Sequence, residues 1–489
     1  MTRKTWRSLS LALLAIIAVA ESGCSINPAT GESSFTGFMS ESEEQRIGKE
    51  THPKALAEFG GAYPDQELQS YISSLGNLLA SASDRPDQRF TFTVLDTPIV
   101  NAFAVPGGYV YITRGLLALA NNEAEVSGVL AHEIGHVAAR HAAERYSTGT
   151  LLSIPAVLIG VVTGSQELAG LAGSAGAAYL QSYSRDQEYQ ADLLGVRYLS
   201  RTNYDPYGMA SFLGQLQAEE KLDAQISGRP DMVDQTNIMA SHPRTADRIQ
   251  RAIQEAGGTQ VADPIVERDL YLQKINGMLY GDSAEEGFIL GRRFAHPKLR
   301  FEFTVPPGFY LRNSSSAVVA QRADGSGIIF DRESKGHSGS MLSYLVDQWA
   351  PRLQMQDAEP INVNGLEAAT GSDRIRTNSG TRDVRLVAIR FSDNQIYRFI
   401  FVTKPDITNQ LTGDFRQTTY SFRELSRSEA AELRPQRIQV VTVGSGDTVE
   451  SLAARMPFED YRVERFLVLN GLKRGDRLQP GQLVKIIAE

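Results

Sequence analysis

Leu130-Ala131-His132-Glu133-Ile134-Gly135-His136-Val137-Ala138-Ala139-Arg140-His141 holds three of the seven histidines in a chain of 489 residues. Concentrating so rare a residue as His-Glu-x-x-His argues against chance. Asn122, followed three positions later by Glu125, is a capping-box-like helix start, and Val126, Val129, Leu130, Ile134 and Val137 recur at helical spacing. On that helix His132 and His136 project from one face about one turn apart, which suits two imidazoles holding one tetrahedral zinc. Glu133, adjacent to the first imidazole, can reach a metal-bound water without being a ligand and is the candidate general base. His141 would lie about 180° round a continuing helix from His132 and is expected to point away, in a structural or surface role.

The third ligand must then come from elsewhere. Tyr183-Ser184-Arg185-Asp186-Gln187-Glu188-Tyr189-Gln190-Ala191-Asp192 reads as a second helix capped by Ser184 and Gln187, with Glu188 and Asp192 sharing a face at i, i+4. Glu188 is the best candidate. One carboxylate of the pair can bind zinc while the other accepts the remaining ring N–H of a ligand histidine and so fixes its tautomer.

Working outward, the segment from about Ser40 to Gly258 alternates helical patterns with short strands, and the Pro106-Gly107-Gly108 turn introduces Tyr109–Thr113. That strand is a candidate edge on which an extended substrate could add through backbone hydrogen bonds; a plain internal strand is the other reading. Leu151–Leu180, rich in Gly, Ala and Leu, reads as packed helices or a lid. The whole chain reads as multidomain α+β: a mainly helical domain with a small sheet at 45–258 that carries the histidine motif, a connector at 259–286, an α+β domain at 287–425, a linker at 426–436 and a small module at 437–489. The middle domain carries strands such as Arg300–Val305, Val384–Phe391 and Ile396–Val402, and only two histidines, His296 and His337, which argues against metal chemistry there.

The motifs together resemble a known family. Asn101-Ala102-Phe103-Ala104-Val105-Pro106-Gly107-Gly108, then His132-Glu133-Ile134-Gly135-His136, Glu188-x-x-Ala191-Asp192, and Ser241-His242-Pro243 with Arg248 follow the order of the gluzincin peptidases that include HtpX and the CAAX prenyl protease. The resemblance covers residues 24 to about 258 and is to the exported bacterial, BepA/LoiP-like branch of that family. It implies one zinc ion held by His132, His136 and Glu188, general base catalysis by Glu133, and an oxyanion contact from His242 or Arg248, with a structural role favoured for Arg248. The tetratricopeptide tail of some relatives has no counterpart here.

At the C-terminus Gly446–Ala453, Leu469-Asn470-Gly471-Leu472 and Leu478–Ile486 resemble a LysM-like fold, ordered strand, two helices, strand. Contact with peptidoglycan through 437–489 is implied; a scaffold without glycan affinity is the alternative. At the other end, Thr2–Arg7 is basic and Leu9–Ala20 is an apolar run too short to span a bilayer, which needs roughly 20 residues. Residues 1–23 therefore read as a secretory signal and 24–44 as an N-terminal linker. Cys24, the single cysteine, sits behind Ser22-Gly23 in a lipobox-like position and is the candidate lipidation site, although Glu21 departs from that pattern. Cleavage after Ala18-Val19-Ala20 would instead leave a soluble periplasmic protein.

A 42% apolar, 22% charged composition is ordinary globular material, and a lone cysteine excludes intrachain disulfides and thiolate metal clusters. With net charge −8 and no dense basic block, nucleic acid is not an expected partner. The expected function is a zinc endopeptidase of the bacterial envelope, lipid-anchored to the outer membrane through Cys24 and acting on misfolded or misassembled envelope proteins. The alternative is an envelope chaperone or wall-tethered scaffold with gated cleavage.

Overall fold

The structure, a computed structural model, describes residues 24–148, 183–228 and 246–489, except 315–316, 356 and 378–379. The leader, the Leu151–Leu180 segment and His242 therefore lie outside the described residues. No helix among the described residues is long and apolar enough to cross a membrane.

The catalytic half begins with a short hairpin, Cys24–Ile26 against Ser33–Phe35, and two helices, Glu41–Glu58 and Gln66–Ser81. A three-stranded sheet follows. Tyr109–Thr113 occupies its centre, parallel to Thr91–Leu95 and antiparallel to Ala102–Val105. The expectation that Tyr109–Thr113 offers a substrate-binding edge is thus corrected: both its backbone edges are paired, and Ala102–Val105 is the edge strand beside the motif helix. The Gly107-Gly108 turn, with both glycines at positive φ, folds these two strands back on each other.

Asn122 caps the motif helix, Glu123–Ala138, by accepting from the Glu125 amide at 2.8 Å. The Glu125 carboxylate accepts from the backbone of Asn121 rather than Asn122, and also from Ser211, so it ties three segments together. The helix Arg185–Arg201 carries the full capping box expected at Ser184 and Gln187. Glycines set how closely these two helices approach. A Cβ on Gly135 would lie 3.2 Å from the Ala191 carbonyl and from the Leu194 Cβ, and one on Gly195 would lie 3.3 Å from the His132 nitrogen. Helices Gly208–Ile226 and Ala246–Gly258 complete the bundle.

Residues 259–286, expected to be a connector, contain a helix, Arg268–Ile275, whose Tyr271, Leu272 and Ile275 are wholly buried. The chain just after it hydrogen-bonds along Gln436 and Ile438, so it adds to the margin of the C-terminal sheet. The C-terminal module has the expected order: strand Arg437–Thr442, helices Val449–Ala453 and Arg462–Leu469, strand Leu483–Ala488. Its Ile438, Leu452, Phe466, Val484 and Ile487 belong to the same hydrophobic core as Leu130, Ile134, Tyr198 and Phe212 of the catalytic half. Lys485, fully buried, donates to the carbonyls of Ala118 at 2.7 Å and Ala120 at 2.6 Å, at the end of the short helix Arg114–Leu119.

Between them the middle domain builds a seven-stranded antiparallel sheet, with Leu366–Thr377, Gly380–Ser392, Gln395–Thr403 and Gly327–Glu333 at its centre. Its core is separate and aromatic: Phe301, Phe303, Phe330, Tyr397, Phe399 and Phe401 pack together under helix Thr408–Ser421. No metal-binding group of His, Cys, Asp and Glu forms among its described residues.

Candidate metal centre

His132 and His136 face each other across one turn of the motif helix, their Nε2 atoms 3.1 Å apart and their rings nearly perpendicular. Glu188 comes from the neighbouring helix. Its Oε1 lies 3.5 Å from His136 Nε2 and its Oε2 3.7 Å from His132 Nε2. All three side chains are buried, and their ligand atoms lie within 4.8 Å of one another. Two imidazole nitrogens and a carboxylate oxygen, gathered where water is scarce, form the donor set of a tetrahedral zinc site with one position left for water or substrate. The residues fit the ion. Glu133, also buried, follows His132 on the same helix as the sequence requires.

A second layer orients the first. His132 Nδ1 lies 2.9 Å from Asp192 Oδ1, and a carboxylate at that distance favours the proton on Nδ1, which leaves Nε2 as the nitrogen with the lone pair. Arg248, on helix Ala246–Gly258, grips both Asp192 oxygens at 2.7 Å through Nε and Nη2 and reaches Glu188 Oε2 at 2.7 Å through Nη1. Burial alone would raise the Asp192 pKa, but the Arg248 charge and hydrogen bonds, joined by His132, bring it down to about 2. For Arg248 burial acts downward and is outweighed by Asp192 and Glu188, so its pKa is raised. The sequence favours a helix-capping role for Arg248; the structure instead sets it against two carboxylates of the centre, which it positions.

His141 requires a correction. It does not point away; its Nδ1 lies 2.8 Å from His136 Nδ1, and its side chain is fully buried. The expectation assumed a continuing helix, but the helix ends at Ala138 and Arg140 adopts φ 56°, which swings the chain back toward the site. Burial holds the His141 pKa down to about 4, against the opposing hydrogen bond from Gln190. Tyr183 stacks on the His136 ring at 3.9 Å, a contact that its position just before the Ser184 cap does not announce.

Residues 66–256 match the model of peptidase family M48, and residues 441–486 match that of the LysM domain. The chain carries an M48 peptidase domain. That M48 domain contains all the metal-site residues described above, and the LysM domain is the module docked beside it. The beta-barrel assembly-enhancing protease of Escherichia coli strain K12 is 29% identical over 297 residues, covering 56% of this chain and 57% of that protein. Its Yersinia pestis counterpart is 30% identical over 197 residues, covering 38% and 39%. The mitochondrial metalloendopeptidase OMA1 of Schizosaccharomyces pombe is 26% identical over 216 residues, covering 42% and 59%. The chain therefore spans at most about three-fifths of the length of these relatives.

Proposed function

We propose that this chain is a zinc-dependent endopeptidase of the bacterial envelope that hydrolyses misfolded or misassembled envelope proteins. The observation that carries the reading is the convergence of His132, His136 and Glu188 beside Glu133. A zinc ion held there would supply Lewis acidity toward the scissile carbonyl and toward water. Glu133 takes the proton of the attacking water and hands it to the departing amine, which balances the proton count over the cycle. Asp192 beside His132 Nδ1 favours the proton on that nitrogen, away from the centre, and Arg248 keeps the Asp192 carboxylate ionised while pairing with Glu188. Ala102–Val105, the edge strand beside the motif helix, offers backbone groups to an extended substrate, which favours unfolded chains over particular sequences. His242 is assigned to the oxyanion, from the sequence.

The names of the bacterial relatives support an envelope role. We assign Cys24 as the lipidated residue and the outer membrane as the site of anchoring; mass spectrometry of the mature N-terminus tests this, and an unmodified start at Glu21 would refute it. The LysM domain supports contact with peptidoglycan. An open cleft of about 740 Å³, lined by Asp447, Thr448, Glu464 and Asp476, supplies hydrogen-bonding groups for a sugar. Retention of the full chain on isolated cell wall is the expected result.

Glu133→Gln is expected to keep one zinc per chain and lose cleavage of a casein-like substrate; undiminished cleavage would refute the mechanism. Glu188→Ala is expected to lower bound zinc, and full occupancy would remove Glu188 from the ligand set. Envelope proteins that accumulate with Glu133→Gln but not with the parent chain would name the substrates.

A further inference from the structure

The Asn27-Pro28-Ala29-Thr30-Gly31-Glu32 loop plays no part in the chemistry above, yet it lies against the metal centre. Asn27 is buried, and its Oδ1 accepts from the amides of Ala29 and Thr30 at 3.0 and 3.3 Å. The loop is closed by Asn27 N–H donating to Glu32 O at 2.7 Å and by Gly31 N–H donating to Asn27 O at 2.9 Å, with Gly31 at φ 74°. From this rigid turn the Asn27 amide nitrogen donates to the Ala139 carbonyl at 3.0 Å, at the C-cap of the motif helix. Arg197, on the Glu188 helix, reaches the Ala29 carbonyl at 3.4 Å.

The loop also reaches a ligand through hydrogen bonds whose direction can be deduced. A Glu32 oxygen can only accept, so the Gln190 amide turns its nitrogen to Glu32 Oε2, 2.7 Å away. Gln190 Oε1 then faces His141 Nε2 at 3.0 Å, and an amide oxygen requires that nitrogen to carry the proton. His141 is fully buried, and a neutral ring protonated at Nε2 has an acceptor at Nδ1. Across 2.8 Å stands His136 Nδ1, which must therefore donate. A neutral His136 protonated at Nδ1 presents its lone pair at Nε2, the atom that faces Glu188 and His132.

We propose that the Asn27–Glu32 loop is a positioning element of the metal centre, setting His136 in its Nδ1–H tautomer through Gln190 and His141. This rests on the reading that His136 is a zinc ligand. The two ligand imidazoles are thus oriented by different means: His132 by the ionised Asp192–Arg248 pair beside it, and His136 by the neutral side chains of Gln190 and His141, set in direction by Glu32 at the end of the loop.

The test uses the full chain labelled with ¹⁵N in histidine. Long-range ¹H–¹⁵N spectra of the zinc-free protein report the His136 tautomer, and competition with a chromogenic chelator reports zinc affinity. Gln190 is only half-buried, so Gln190→Leu preserves shape and removes the acceptor. It is expected to mix the His136 tautomers and weaken zinc binding by roughly 10–100-fold. The exchanged pair Glu32→Gln with Gln190→Glu keeps an acceptor toward His141 and reverses the bond to the loop, whose side-chain amide now donates to position 190, and is expected to bind zinc within about threefold of the parent. Equal affinity in Gln190→Leu and the parent would overturn the proposal, as would equal losses in Gln190→Leu and the exchanged pair. An Nε2–H tautomer of His136 in the zinc-free parent would also overturn it. A parent chain that takes up no zinc would refute the proposed function instead, while the tautomer spectrum still decides the positioning role.

Discussion

Two buried cations hold two different parts of this molecule, and they are stabilised in opposite ways. Arg248 lies against formal charges, with two hydrogen bonds of 2.7 Å to the Asp192 carboxylate and an ion pair of 2.7 Å to Glu188. Lys485 lies against partial charges, the carbonyls that end helix Arg114–Leu119. Burial pushes the lysine pKa down, with Glu125 opposing, whereas the arginine pKa rises. The difference follows from the task. Carboxylates near a metal must stay ionised and fixed, so a counter-ion is built in beside them; a docking contact between domains needs only direction, which carbonyls supply.

This contrast predicts unequal costs. Arg248→Ala should be the most damaging, because it leaves two carboxylates buried without their cation; a loss of about 3–5 kcal/mol in urea unfolding of the zinc-free protein is expected. The acid limb comes next. Burial notwithstanding, Arg248 and His132 hold the folded Asp192 carboxyl down to about 2 against 3.8 for a free aspartate, so the unfolded chain binds more protons between those values. Its contribution of about 2 kcal/mol is complete above pH 4 and disappears as pH falls toward 2, and Asp192→Asn should flatten that limb. Lys485→Met should cost least, about 1–2 kcal/mol, since neutral carbonyls lose a donor while the buried Glu125 carboxylate, which loses a cationic neighbour, keeps its hydrogen bonds from Asn121 and Ser211. Its effect should appear as faster amide exchange in residues 437–489 with zinc binding unchanged. A Lys485→Met loss equal to that of Arg248→Ala would break the contrast.

What could be read in the sequence was local. The Asn122 and Ser184 caps, the 3.6-residue periodicity of the motif helix and the strand–helix–helix–strand order of the C-terminal module are written in neighbouring residues, and the structure has all of them. The Glu188–Asp192 pair was legible because i, i+4 spacing survives any tertiary arrangement. His141 was misread because its orientation depends on a positive φ at Arg140, where no glycine marks the turn. Whether Tyr109–Thr113 was an edge or an internal strand stayed open, because alternation within one strand does not show how many neighbours it has; the structure gives it two. The one signal left unused was Lys485 within Leu483-Val484-Lys485-Ile486-Ile487, a charge inside an apolar run, which pointed to a buried partner rather than solvent.

The close crossing of the motif helix and the Glu188 helix at Gly135 and Gly195 makes the gap between two backbones a gauge for ions. Imidazoles ride on one rod and the carboxylate on the other, so the bite of the donor set is the helix spacing carried out to the side-chain tips. Two hydrogen atoms where methyl groups usually stand let the helices approach until the candidate ligand atoms lie within 4.8 Å of one another. Alanine at Gly135 would press on Ala191 and Leu194, and alanine at Gly195 would press on the backbone of His132, so the spacing that gathers imidazoles and carboxylate is held in two residues that offer an ion no donor of their own.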